Sequence, residues 1–346
     1  MKRVADGIYQ LVTPFPEFSQ EEALRLRTEL EAHPRVTKSL PYVLPYLIRD
    51  GGEALLVDCG WNTAAAQAAL AAEVQAAGTN LADVGTLLVT HAHPDHGGMA
   101  GWLREQTGCR VLLHEREAAT VESRYVHPEL LLDQVRGWLR RHGLPEEELQ
   151  ELTQASMPVR GFVAPVSPDQ ALAGGEELRV GGFVFEVIWT PGHAPGHVCL
   201  YERNHQFLLS GDHVLPSITP NVSLHPQQPG NPLGAYLESL ARVEQLTVRR
   251  LLPAHEWDIE DFQDRVRAIR AHHEERLAEM LAAVGEGATA AEVARQVVWT
   301  TGRYETFPPF MRRAAIGETL AHLEYLVEQG ALRAVEADGV VRFTRG

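Results

Sequence analysis

The sequence predicts an α/β (α+β) fold with an additional helical segment at its C-terminal end. Three observations carry this. Short apolar runs bounded by Gly, Pro and Asn alternate with amphipathic stretches, the pattern of strands interleaved with helices. Histidines and aspartates collect just past the C-terminal ends of four of those runs, the address at which α/β folds hold their ligands. Beyond residue 258 the pattern changes to long charged helices and a single hairpin. At 346 residues the chain can bury a substantial core and carry an appendage. We divide it into a main domain, 1–257, and a C-terminal domain, 258–346.

In chain order, residues 7–12 read as a first strand that Pro14 and Pro16 end. Residues 21–32 read as a helix. Strands return at 42–49 and 54–57, with Asp50-Gly51-Gly52 as the hairpin turn. The excursion 14–41 is expected to overhang the site. It offers Arg25, Arg27, Arg35 and Lys38, with Tyr42 and Tyr46 behind, although ordinary solvated charges are the better reading. Asp58-Cys59-Gly60 closes a strand before an Ala-rich helix, 63–77. Asp58 either orients a ligating histidine or serves as a turn or cap residue.

The run Thr86-Leu-Leu-Val-Thr90 reads as a buried strand, followed by a helix at 99–106 and a strand at 110–114. A helical insert, about 115–160, then interrupts the strands, with helices at 118–125, 129–142 and 146–155. It reads as a lid or a dimer surface, and its lone His114, His127 and His142 as surface or structural groups. Strands resume at 178–180, 183–189, 198–201 and 207–210. A helix at 233–245 and a strand ending at His255 complete the main domain. Helices at 262–284, 290–298 and 311–329 and a hairpin across Asp338-Gly339 form a winged-helix-like pattern. Its candidate recognition helix sets Glu318, Glu324 and Glu328 against Arg312 and Arg313, and the module lacks lysine. Packing or dimerisation is therefore the expected role rather than DNA binding.

Composition narrows the partners. With 31 basic and 46 acidic residues the net charge is −15. That disfavours nucleic acid, which requires a positive field, and leaves a small-molecule substrate. Three cysteines without a CxxC pair suit a reducing cytoplasm. No apolar leader and no bilayer-length apolar run are apparent. A homodimer is left open.

The chemistry is concentrated in Thr90-His-Ala-His-Pro-Asp-His-Gly-Gly98, which packs His91, His93, Asp95 and His96 into six residues. His193 follows the 183–189 strand within Thr190-Pro-Gly-His-Ala-Pro-Gly-His197. Asp212 follows 207–210, and His255 ends Leu251-Leu-Pro-Ala-His255. Imidazole and carboxylate together suit zinc, iron or manganese. Seven candidate ligands exceed the four that close a structural site and fit two metals sharing one carboxylate. We assign His91, His93 and His193 to one metal, and Asp95, His96 and His255 to the other, with Asp212 bridging. A shared water with its pKa lowered toward ~7 then supplies a hydroxide nucleophile. Asp95 is also assigned a catalytic role. No Ser, Cys or Lys nucleophile is required, and no GxSxG elbow is present. His197 is read as a supporting residue and His213 as pointing away. Asn221, Ser223 and His225 either border the pocket or are plain loop.

These motifs, with Asp58-Cys59-Gly60 as an early Asp-x-Gly, resemble the metallo-β-lactamase fold superfamily over residues 4–255. The resemblance implies an αββα sandwich with its metal site at one edge and a pair of divalent ions, zinc first, with iron or manganese as alternatives. The pairing of Asp95 with His96 resembles the branch of glyoxalase II and related thioesterases, lactonases and phosphodiesterases. The tail is similar to the C-terminal extension of one hydrolase branch, which includes relatives of endoribonuclease-like proteins. The single-iron persulfide dioxygenase shares part of the motif, and the full seven-residue set argues against it. The expected activity is hydrolysis of an ester, thioester or lactone. A phosphodiesterase or ribonuclease is the alternative, and a DNA-binding regulator the third reading.

Overall fold

The computed structural model describes residues 1–32 and 40–346. Arg35 and Lys38, named above in the excursion 14–41, lie outside the described residues. Two sheets form the centre. The first has seven strands in the order Lys2–Ala5, Ile8–Gln10, Tyr46–Asp50, Glu53–Val57, Thr86–Leu88, Arg110–His114 and Gln170–Leu172. Its first four strands form an antiparallel meander and the remainder pair in parallel. The second sheet runs Glu177–Val180, Phe183–Trp189, Val198–Glu202, Phe207–Gly211 and Arg250–Pro253. It is antiparallel except for the last pair.

Alternation along the strands builds the layers, because successive side chains point to opposite faces. Leu55 and Val57 join Phe185, Val187, Leu200 and Leu209 in the core between the sheets. Leu56, one residue out of phase, packs with Leu70, Val74 and Leu103 of the helices Ala64–Ala76 and Ala100–Thr107. On the outer face of the second sheet, Cys199, Leu208 and Leu251 meet Tyr236, Leu240 and Ile269 of Pro232–Glu244 and Phe262–Val284. The layers run helix, sheet, sheet, helix, the αββα sandwich that the resemblance implies.

Two strands of the first sheet were invisible to periodicity. Lys2–Ala5 is a charged edge strand, and Gln170–Leu172 is only three residues long. The expected 42–49 strand is two pieces, Tyr42–Val43 and Tyr46–Asp50. Pro45 between them has no N–H to give a ladder, while its carbonyl accepts the Leu11 amide at 2.8 Å. Tyr42 and Tyr46 are buried, and their hydroxyls donate to the carbonyls of Glu256 and Pro253. They brace the sandwich rather than face a pocket. Arg27 is buried against Gln10, and Arg25 pairs with Glu29 at the surface.

The helices Pro128–Arg141 and Glu146–Thr153 of the insert share a core with the C-terminal helices. Val135, Leu139, Leu149 and Leu152 pack with Met280, Val293, Leu320 and Leu323. The apolar side of this insert is thereby covered from within the chain. Phe262–Val284, Ala290–Gln296 and Pro309–Glu328 are followed by the hairpin Leu332–Ala337 and Val340–Arg345. Among the described residues no helix is long and apolar enough to cross a membrane.

Candidate metal centre

The seven expected ligands come together at one edge of the sandwich, each at or just past the C-terminal end of a strand. His91 and His93 follow Thr86–Leu88, and the short helix Pro94–Gly97 carries Asp95 and His96. His193 follows Phe183–Trp189, Asp212 directly follows Phe207–Gly211, and His255 follows Arg250–Pro253 by two residues. Gly211 sets Asp212 in position with a φ of +50°. A Cβ there would stand 2.6 Å from His197 Nε2, so this approach requires glycine.

The donors form two contiguous groups. His91 Nε2 lies 2.8 Å from His93 Nδ1, and His193 Nε2 lies 3.2 and 3.1 Å from those same two atoms. In the second group His255 Nε2 lies 3.3 Å from Asp95 Oδ2, and His96 Nε2 lies 3.6 Å from it. Asp212 stands between the groups. Its Oδ2 is 3.5 Å from His193 Nε2, while its Oδ1 is 3.5 Å from His96 Nε2 and 3.4 Å from His255 Nε2. Donors bound to one tetrahedral ion at about 2.0–2.2 Å stand roughly 3.3–3.6 Å apart, so donor groups of this spacing suit a divalent metal. His96 Nε2, Asp212 Oδ1 and His255 Nε2 are buried without a hydrogen-bond partner. Orphaned polar atoms of that kind are costly unless something binds there.

Charge divides the groups. Burial pushes His91, His93 and His193 below the usual imidazole range, and neighbouring histidines push His91 further. These three are neutral, as ligands must be. At His96 and His255 burial also lowers the pKa, but Asp212 and Asp95 outweigh it and raise both. Asp212 is raised by burial and held well below the carboxylate range by His255 and His96. Metal-free, the second group therefore holds protons more tightly than free imidazole does, and an ion must compete with them. Loading metal-free protein with zinc at neutral pH is expected to release protons, and apparent affinity to fall as pH drops and His96 and His255 hold their protons more fully. Calorimetry in buffers of differing ionisation enthalpy reads this, and a binding enthalpy independent of buffer would contradict it.

Four of the five rings are held from behind. His96 Nδ1 donates to Asp58 Oδ2 at 2.8 Å, and the same carboxylate accepts from the Thr90 amide at 2.7 Å and hydroxyl at 2.9 Å. Asp58 thus orients a candidate ligand histidine rather than capping a helix. Thr90 Oγ1 also meets His91 Nδ1 at 3.1 Å. His193 Nδ1 donates to the Asn221 carbonyl at 2.8 Å, and His255 Nδ1 to that of Tyr42 at 3.2 Å. His197 has the supporting role expected of it, since its Nε2 accepts the Asp212 amide at 3.1 Å. His213 lies against Tyr236, outside both groups. Glu117 and Tyr125 were missed. The Glu117 carboxylate takes the amides of Ala92 and Gly196, each at 2.7 Å, and the Tyr125 hydroxyl donates to the Ala92 carbonyl at 3.1 Å. Nothing in Glu115-Arg-Glu-Ala-Ala distinguishes Glu117 from a solvated helix charge.

Comparisons with known proteins agree with this geometry. Residues 41–255 match the metallo-beta-lactamase superfamily, and 277–346 match the metallo-beta-lactamase-like C-terminal domain. A metallo-beta-lactamase family protein of Thermus thermophilus has a solved structure 34% identical to this chain. The match covers 99% of this chain and 100% of that one, with a TM-score of 0.81. A lactamase-like protein of Aspergillus niger is 26% identical over 69% of this chain and 57% of its own length. An acyl-coenzyme A thioesterase of Gallus gallus is 29% identical over 49% of this chain and 55% of its own. The chain thus spans little more than half the length of these two relatives. With the sandwich, the strand-end histidines and the family match in agreement, the chain belongs to the metallo-β-lactamase superfamily.

Proposed function

We propose that this chain hydrolyses an ester, thioester or lactone with two divalent ions, zinc first among them, held by His91, His93 and His193 and by Asp95, His96 and His255. The observation that carries the reading is Asp212, whose two oxygens each face a different donor group. Two bound ions would lower the pKa of a shared water toward ~7 and polarise the carbonyl oxygen. The chain's own groups do the rest. Burial pushes the Asp95 carboxyl up, but in the metal-free site His96 and His255 hold it at about 2, so it is already the anion that an ion requires of a ligand. Asp58 and the Tyr42 carbonyl keep the His96 and His255 rings in place beside Asp95.

The thioesterase relative supports an acyl substrate. The net charge of −15 speaks against a long RNA. The winged-helix-like module we read as a packing element. Arg312 is paired with Glu148 and Glu151, and Arg313 donates to the carbonyls of Leu152 and Thr153. These cations are engaged within the chain rather than offered to phosphates. The free, buried Cys59, Cys109 and Cys199 suit a reducing compartment, and the cytoplasm is our reading. The test is elemental analysis of protein purified without chelator, alongside assays on a thioester, a lactone and a bis(aryl) phosphodiester. About two metals per chain with acyl turnover is the expected result. Turnover of the phosphodiester alone would replace the acyl reading, and a single iron without hydrolysis would overturn it.

A further inference from the structure

We propose that the helical insert and the last helix of the chain hold the first histidine group, while the second group is held by the sandwich itself. This rests on the two-group reading above and assigns a role to both helical additions.

The insert acts through Glu117 on the helix Glu115–Val121. Its carboxylate is 1% exposed and divides its two oxygens between two ligand loops. Oε2 accepts the amide of Ala92, the residue between His91 and His93. Oε1 accepts the amide of Gly196, in the loop that carries His193. One side chain thus ties together the two loops that supply all three nitrogens. The approach is close, since a Cβ on Gly196 would stand 2.8 Å from Glu117 Cγ. Tyr125, also of the insert, holds the Ala92 peptide from its carbonyl side.

The last helix, Pro309–Glu328, acts through the 221–224 segment. Glu318 accepts from Asn221 Nδ2 at 2.6 Å, and the Gly317 carbonyl accepts the Leu224 amide at 3.0 Å. The segment so held presents the Asn221 carbonyl to His193 Nδ1. That bond fixes the tautomer and leaves the Nε2 lone pair facing His91 and His93. The second group has no such attachment among the described residues. His96 is held by Asp58 and His255 by the Tyr42 carbonyl, both within the sandwich. Glu117 and Asn221 are accordingly positioning residues for one ion of the pair.

Outer partners of metal ligands typically affect affinity by ~10–100-fold. Glu117→Gln retains the size but turns an NH2 toward one of the two amides, and Asn221→Ala removes the tie to Glu318. Stepwise zinc affinities of the full chain, measured by competition with a chromophoric chelator, should show one affinity weakened ~10–100-fold and the other unchanged. A double-mutant cycle identifies the site. Glu117→Gln should weaken the remaining affinity in a His255→Ala background and have no effect in a His193→Ala background. Circular dichroism of the metal-free variants checks the fold. If Glu117→Gln does not fold, Asn221→Ala, which leaves the core intact, carries the same test. Equal weakening of both affinities, or an effect that persists in the His193→Ala background, overturns the assignment alone. A wild-type chain that binds only one ion overturns the two-group reading and this assignment with it.

Discussion

Asp212→Ala is expected to lower kcat/KM by ~10³-fold or more, about 4 kcal/mol of transition-state stabilisation, and to leave fewer than two ions bound. The size follows from its position. No other carboxylate among the described residues faces both donor groups, one oxygen toward His193 and the other toward His96 and His255. Removing it also removes the leading charge that keeps the pKa values of His96 and His255 raised. The metal-free second group should then lose protons at a lower pH, and the proton release on zinc loading should shrink. The backbone need not move, because the Asp212 amide keeps its bond to His197 Nε2. Circular dichroism should therefore match the wild type while metal content and turnover fall together. Asp212→Asn separates charge from shape, since it keeps one oxygen acceptor and loses the anion. Full turnover with two ions in the alanine variant would refute the central role given to this residue.

The site was legible in the sequence and its supports were not, for a physical reason. His91, His93, Asp95 and His96 lie within six residues, and His193, Asp212 and His255 each close an apolar run. Ligand chemistry demands particular residue types, and strand ends have a visible pattern. Asp58 was half legible, recognisable as a strand-closing aspartate but ambiguous between turn and partner until its bonds to His96 and Thr90 were seen. Glu117 and Glu318 carry no local mark at all. Each is an acidic residue on an amphipathic helix, and its meaning depends on a loop 25 or 97 residues away. The sandwich was legible because 183–189 and 198–201 are short apolar runs bounded by turn residues, as strands buried on both faces must be. The failures were Lys2–Ala5, whose two apolar residues, Val4 and Ala5, are too few to show a period, and the break at Pro45. The covering of the insert by the C-terminal helices is a long-range pairing of two apolar faces, which periodicity detects singly but cannot match.

Asp58→Ala is expected to cost about 3 kcal/mol or more of folding stability, and Asp58→Asn distinctly less, because an unsatisfied buried donor costs about 1–3 kcal/mol. Asp58 is 2% exposed, and its carboxylate serves three donors: the Thr90 amide, the Thr90 hydroxyl and His96 Nδ1. Truncation strands all three in a buried setting. The backbone adds to the loss, since Asp58 has a φ of +60°, a conformation that aspartate tolerates better than alanine. Asparagine keeps the volume, the tolerance of positive φ and an oxygen for the Thr90 amide. Its NH2, however, faces His96 Nδ1 where an acceptor stood. The ring must then carry its proton on Nε2, the atom that points into the second donor group. Asp58→Asn is therefore expected to fold and to lose ~10–100-fold in affinity at that group. Denaturant unfolding reads the stability difference, and zinc competition reads the affinity. If both variants lost stability equally while both retained two ions at wild-type affinity, Asp58 would be a turn residue after all, and the tautomer of His96 would have to be set from elsewhere.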